Sequence, residues 1–176
     1  RLAINTRGGD IVELDLPKYP LHVDTPDKPF PLLANSSALM FEAQSGLIGP
    51  NGTDGASRPL YRSDKAEYQL DGDADTLVVT LTLPNKEGVT ISKRYTFTRG
   101  SYLVKVENQV NNQSGKPWQG AFYGQLKRDG SEDPSISGKG FSTMSTFLGG
   151  AYYSADNKYE KLKFDSFKDE PLKLER

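Results

Sequence analysis

The chain has 176 residues, 35% of them hydrophobic, a formal net charge of −1 and no cysteine. That length suits one domain able to bury about 70% of its unfolded surface. The near balance of 22 Lys and Arg against 23 Asp and Glu gives no basic field for a nucleic acid, and without Cys there are no disulfides, thiolate metal sites or Cys nucleophiles.

The pattern is β nearly throughout. Leu2 and Ile4 alternate, as do Val12, Leu14 and Leu16, with the Arg7-Gly8-Gly9-Asp10 turn between them. Period two over these lengths predicts half-buried strands. Pro17 and Pro20 are expected to stop the second strand, and Pro26, Pro29 and Pro31 to keep the next stretch extended and irregular. A short strand is predicted over 39–44. Residues 45–57, rich in Gly and polar side chains, read as a loop, and another strand is expected within 61–70.

The clearest region is 76–126. Leu77, Val79, Leu81 and Leu83 point one way and Thr80 and Thr82 the other. Pro84-Asn85-Lys86-Glu87-Gly88 is a hairpin loop, after which Val89, Ile91, Tyr95 and Phe97 alternate. Tyr102, Val104, Val106 and Val110 follow on one face, and Trp118, Phe122 and Leu126 on a further strand. Such a β-meander with polar outer faces predicts an antiparallel sheet packed on one side. With no sustained helical period, the fold class is all-β, mostly antiparallel, and a sandwich. Residues 127–140 read as a loop, 141–148 and 159–164 as later strands, and the charged tail 165–176 has room for a short helix at most. No stretch approaches the roughly 18 apolar residues of a membrane-spanning helix. The opening Arg1, without a signal peptide, is expected of a fragment or processed form.

Motifs with chemistry are few. Asp71-Gly72-Asp73-Ala74-Asp75 imitates the start of a calcium loop, but Thr76 and Thr82 stand where that loop needs Gly and Glu. It reads as a solvated turn. Gly138-Lys139-Gly140 lacks the spacing of a phosphate loop. Nucleophilic catalysis needs a base beside the nucleophile, and the one imidazole, His22, lies among prolines. The chain therefore reads as non-enzymatic, without cofactor or metal. Trp118 with Tyr123, Tyr152 and Tyr153 can stack a sugar ring, although in a sandwich such rings also serve as core. Trp118 and Tyr123 are the candidates for a ligand cleft.

Six segments resemble a known family in order: Ile4-Asn5-Thr6-Arg7-Gly8-Gly9-Asp10-Ile11, Ala43-Gln44-Ser45-Gly46-Leu47, Arg58-Pro59-Leu60-Tyr61, Lys93-Arg94-Tyr95-Thr96-Phe97-Thr98-Arg99-Gly100, Gly124-Gln125-Leu126-Lys127 and Tyr159-Glu160-Lys161-Leu162-Lys163-Phe164. Together they resemble the large periplasmic domain of the YidC membrane protein insertases of Gram-negative type. The resemblance covers nearly the whole chain. It implies a β-supersandwich like that of galactose mutarotases, and residues 1–176 as a single periplasmic domain of a larger, incomplete chain. It also implies an address, the periplasmic face of the inner membrane, and a parent protein that helps insert and fold nascent inner-membrane proteins alone or beside the Sec translocon. The insertase core is a membrane helix bundle outside this segment, so no catalytic residue is carried over.

The later part of the family's domain is associated with docking to SecF of the SecD–SecF complex. That implies a partner-binding surface here within roughly 144–176, with Phe147, Tyr152, Tyr153, Lys158, Tyr159 and Lys161 as candidates. Tyr and mixed charge suit a modest interface. Two rival readings are a carbohydrate-binding sandwich, which a cleft holding Trp118 and convergent polar groups would favour, and a mutarotase-like aldose epimerase, which needs an acid and a base in one pocket.

Overall fold

The computed structural model describes residues 1–131, 147–156, 158–168 and 172–173. Its strands are β1 (Leu2–Asn5), β2 (Asp10–Pro20), β3 (Pro29–Asn35), β4 (Met40–Ile48), β5 (Arg62–Ser63) and β6 (Thr76–Thr82). They continue with β7 (Val89–Thr98), β8 (Val104–Asn112), β9 (Ala121–Arg128), β10 (Gly149–Ser154) and β11 (Lys158–Lys163), followed by a 3-10 turn, Phe164–Lys168. All named pairings are antiparallel. One sheet runs β1-β2-β3-β4-β9, a second β5-β6-β7-β8, and β10-β11 forms a separate hairpin. No helix among the described residues is long and apolar enough to cross a membrane.

The two larger sheets face each other. Ile11 of β2 and Leu33 of β3 meet Val79 and Leu81 of β6 and Tyr95 of β7, with Tyr61 filling in from the stretch before β5. Period-two alternation puts these side chains inward, and full burial of each aliphatic one is worth about 1.5–3 kcal/mol. The result is an all-β, antiparallel sandwich, as its alternation predicts.

Several boundaries differ from the sequence reading. Pro17 does not stop β2, because it falls where the β2–β3 ladder is interrupted, between Leu16↔Phe30 and Pro20↔Pro29. No ladder donor is needed there. The proline-rich stretch that follows is itself a strand, β3, paired through Asp15↔Pro31 and Leu16↔Phe30. Within 61–70 only Arg62–Ser63 is strand. β4 continues through 45–48, where a loop is predicted, because β9 lies alongside and pairs with it from Phe41↔Arg128 to Ile48↔Ala121.

That pairing also corrects the meander. β6, β7 and β8 follow one another in one sheet, but β9 crosses to the other sheet. The connection turns at Gly115, whose φ of 71° is open to glycine, and alternation marks a strand without naming its neighbour. Trp118 precedes β9 instead of lying on it, and Phe122 and Leu126 are exposed. Tyr102 precedes β8 and meets Tyr19 at the surface, with ring centroids 6.1 Å apart. The strand expected over 141–148 and the loop at Gly138-Lys139-Gly140 lie largely outside the described residues. The Asp71–Asp75 segment is an exposed turn whose backbone carbonyls at Asp71, Gly72 and Ala74 accept from the Arg99 guanidinium.

Candidate functional site

Three places carry polar or aromatic groups in unusual arrangement. The first is inside the sandwich. Lys93 lies on β7 at the same parity as Ile91 and Tyr95, and it is fully buried with them. Its ammonium donates to the carbonyls of Gly8 at 2.6 Å, Ser45 at 2.7 Å and Gly9 at 3.5 Å. Three acceptors match the three protons of –NH3+. The Tyr95 hydroxyl donates to the Gly9 carbonyl beside it. Gly8 and Gly9, with φ of 80° and 62°, form the turn that presents these carbonyls inward, and a side chain on Gly8 would collide with Arg58.

Arg58 closes the cluster. It enters from the loop between β4 and β5, pairs with Asp10 and Asp54, and also donates to the Tyr123 hydroxyl and to the carbonyls of Ser45 at 3.0 Å and Gly8 at 3.3 Å. Asp54 in turn accepts from the Leu47 amide at 2.9 Å. Two cations face two carboxylates, so the cluster is neutral overall.

Burial pushes the Lys93 pKa down to about 8, with Asp10 pulling it back up. Asp10 itself is raised by burial, against the opposing pull of Arg58. Burial works against the Arg58 charge too, yet Asp10 and Asp54 outweigh it and its pKa stands above the ordinary value. The two partners of one ion pair thus move the same way for different reasons. Asp10 is 4% exposed and loses more hydration, whereas the Arg58 side chain keeps 24% of its surface in water. Burial also lifts the Tyr61 hydroxyl to about 12 and the Tyr95 hydroxyl higher still.

Apart from the buried Arg58 Nε–H, which has no hydrogen-bond partner, the charged groups of this cluster face one another or backbone carbonyls and amides, so it acts as a clasp between the sheets and the 49–60 loop. Five of the six segments that carry the family resemblance reach the clasp or adjoin it: Gly8 to Asp10, Ser45 and Gly46, Arg58, Lys93 and Tyr95, and Gly124 next to Tyr123. Asp10, Arg58 and Lys93 stand within those segments, but none of the cluster's charged residues was among the candidate site residues of the sequence reading. The available signal was parity: a Lys at an inward position of a well-alternating strand.

The second place is the β10–β11 hairpin, which holds the docking candidates. Cross-strand partners share a face, and the register pairs Tyr153 with Tyr159 and Ala151 with Lys161. Tyr153 is 71% and Tyr159 60% exposed. The Lys161 ammonium lies 5.2 Å from the Phe147 ring centroid and 6.0 Å from that of Tyr159, within cation–π range of both. Phe147, Lys161, Tyr159 and Tyr153 therefore form one continuous exposed face. Tyr152 and Lys158 lie on the opposite face, paired with Glu160 and Ser154. There the 3-10 turn brings Phe167 against Gly150. Arg128, at the end of β9, stacks its guanidinium on Phe41 at 5.6 Å and Phe164 at 5.3 Å and ties this unit to the sandwich.

The third place is a cleft of about 800 Å3. Its walls are the loop after β4, the β6–β7 hairpin tip and the β8–β9 connection, which contributes Trp118. Tyr123 is not part of it, being held in the clasp by Arg58. The two residues expected to share a cleft are thus separated.

The family model for the YidC periplasmic domain matches residues 1–176. Membrane protein insertase YidC of Alcanivorax borkumensis is 50% identical over 177 residues, covering 100% of this chain and 30% of that protein. The protein of the same name from Stutzerimonas stutzeri is 47% identical over 98% of this chain and 30% of its own length. That from Pseudomonas aeruginosa is 41% identical over 98% of this chain and 33% of its own length. The chain thus spans about a third of the curated relatives it matches.

Proposed function

The chain belongs to the YidC periplasmic domain family, and from that premise we propose that it is a non-enzymatic docking module of a membrane protein insertase. It stands on the periplasmic face of the inner membrane and engages SecD–SecF, while the parent protein handles nascent inner-membrane proteins beside the Sec translocon. The observation that carries this reading is the Phe147–Lys161–Tyr159–Tyr153 face. Large aromatic side chains kept in one file by a hairpin register, more than half exposed at Tyr153 and Tyr159, suit the core of a modest interface, in which Tyr is enriched. The mechanism is presentation of a rigid surface, with no bond made or broken.

The test is binding of the purified chain to purified SecD–SecF. Tyr153→Ser combined with Tyr159→Ser should weaken it about 30-fold or more, the effect of losing a hot spot of 2 kcal/mol. Tyr102→Ser, at an exposed aromatic elsewhere on the surface, should leave it unchanged. Equal affinity of all three proteins would remove the docking face from this hairpin.

A further inference from the structure

We propose that the cleft built by the three loops is a binding site for a short saccharide, separate from the docking face. Loops gathered at one end of a sandwich are a common seat of recognition, and about 800 Å3 lies within the usual range for ligand sites. Trp118 is half-buried in its wall. An indole offers a flat apolar face to the C–H side of a sugar ring.

The rim supplies both kinds of polar partner that hydroxyls require. Among the described residues, the Lys86, Glu87 and Lys116 side chains line this cleft and make no ion pair or hydrogen bond. The Asn51 amide oxygen accepts from the Gln119 N–H at 2.8 Å, which fixes the amide and leaves its NH2 available. Donors from Lys86, Lys116 and Asn51 thus share the rim with an acceptor, Glu87. An anion would be opposed by Glu87, whereas a neutral ring with several hydroxyls uses donors and acceptors together.

The backbone gives a second, independent indication. Lys86 and Val89 exchange hydrogen bonds of 3.0 and 2.9 Å, closing a two-residue hairpin loop with φ of 52° at Glu87 and 83° at Gly88. Such a loop favours Asn, Asp or Gly at its first position. Glu there is strained, and strain held at a cleft wall is a mark of a functional position.

Trp118 is the only tryptophan of the chain, so its fluorescence reports on the cleft directly. Chitotriose, maltotriose and lactose are titrated into the purified chain up to tens of millimolar. At least one should give a saturable blue shift and slow acrylamide quenching. Glu87→Gly relieves the turn strain and should raise the melting temperature, while weakening that sugar at least about fivefold, the value of one hydrogen bond. Lys116→Ala, at an exposed position, should weaken it similarly without changing stability. A flat response to all three sugars overturns the proposal. So does a sugar response that Glu87→Gly and Lys116→Ala leave unaltered.

Discussion

Replacing Arg58 by Met removes the fork that joins Asp10, Asp54 and the Tyr123 hydroxyl while keeping most of the side-chain volume. Asp10 is 4% exposed, and the Asp54 side chain 2%. Both carboxylates would then share the one remaining cation of the clasp, Lys93, whose three protons already serve backbone carbonyls. Breaking one partner of a buried pair costs about 3–5 kcal/mol. Arg58 keeps 24% side-chain exposure, so water enters the gap and the lower end applies, about 3 kcal/mol. For a chain of this size that lowers the melting temperature by about 6–12 °C. Urea unfolding followed by circular dichroism, at about pH 7.5 and about pH 5, tests both size and cause. The orphaned Asp10 carboxyl, already raised by burial, loses the opposing pull of Arg58 and is raised further, so the native state binds the extra proton and stability returns as pH falls. Each pH unit below that raised pKa, and above the unfolded one, recovers about 1.4 kcal/mol. The variant should therefore lose clearly less at the lower pH. A loss below about 1 kcal/mol, or equal losses at both pH values, would refute the reasoning.

Lys93 gives the opposite pH sign. Its folded pKa of about 8 lies below the ordinary 10.5, so the unfolded chain holds more protons between those values and stability rises with pH. Between about pH 7 and pH 9 the gain is about 1.3 kcal/mol, and in Lys93→Met that rise should vanish when unfolding is measured at both ends. Above about pH 10 the raised Tyr61 and Tyr95 hydroxyls reverse the trend, because the unfolded chain ionises them first. Gly46→Ala places a methyl against the Asp54 carboxylate. It should cost about 1–3 kcal/mol, read as a lower urea midpoint with unchanged slope. Tyr153→Ser and Tyr159→Ser, both at exposed positions, should change unfolding free energy by no more than about 0.5 kcal/mol each, which keeps their binding test interpretable. A larger change would mean that the hairpin face is packed in solution.

How far the fold was legible depended on the kind of signal. Leu77 to Leu83 and Val89 to Phe97 announced β6 and β7 because inward and outward residues alternate cleanly there. Residues 45–48 looked like loop because Ser and Gly favour no strand, yet β9 beside them supplies eight paired positions with β4. Pro29 and Pro31 read as irregular because proline removes a ladder donor, and the pairing of β3 with β2 accommodates that loss. Of the docking candidates, the hairpin register joined Tyr153, Tyr159 and Lys161 on one face, brought Phe147 to it, and placed Tyr152 and Lys158 on the other.

The sequence by itself determined the all-β class, the central hairpins and the family, because alternation and ordered local segments are properties of neighbours along the chain. Tertiary structure alone decided that Asp10, Asp54, Arg58 and Lys93, which lie up to 83 positions apart, meet as one neutral clasp. It also decided that Trp118 faces a cleft while Tyr123 serves that clasp. Burial of a charge is settled by the partners that other strands bring to it, and those partners are not neighbours in sequence.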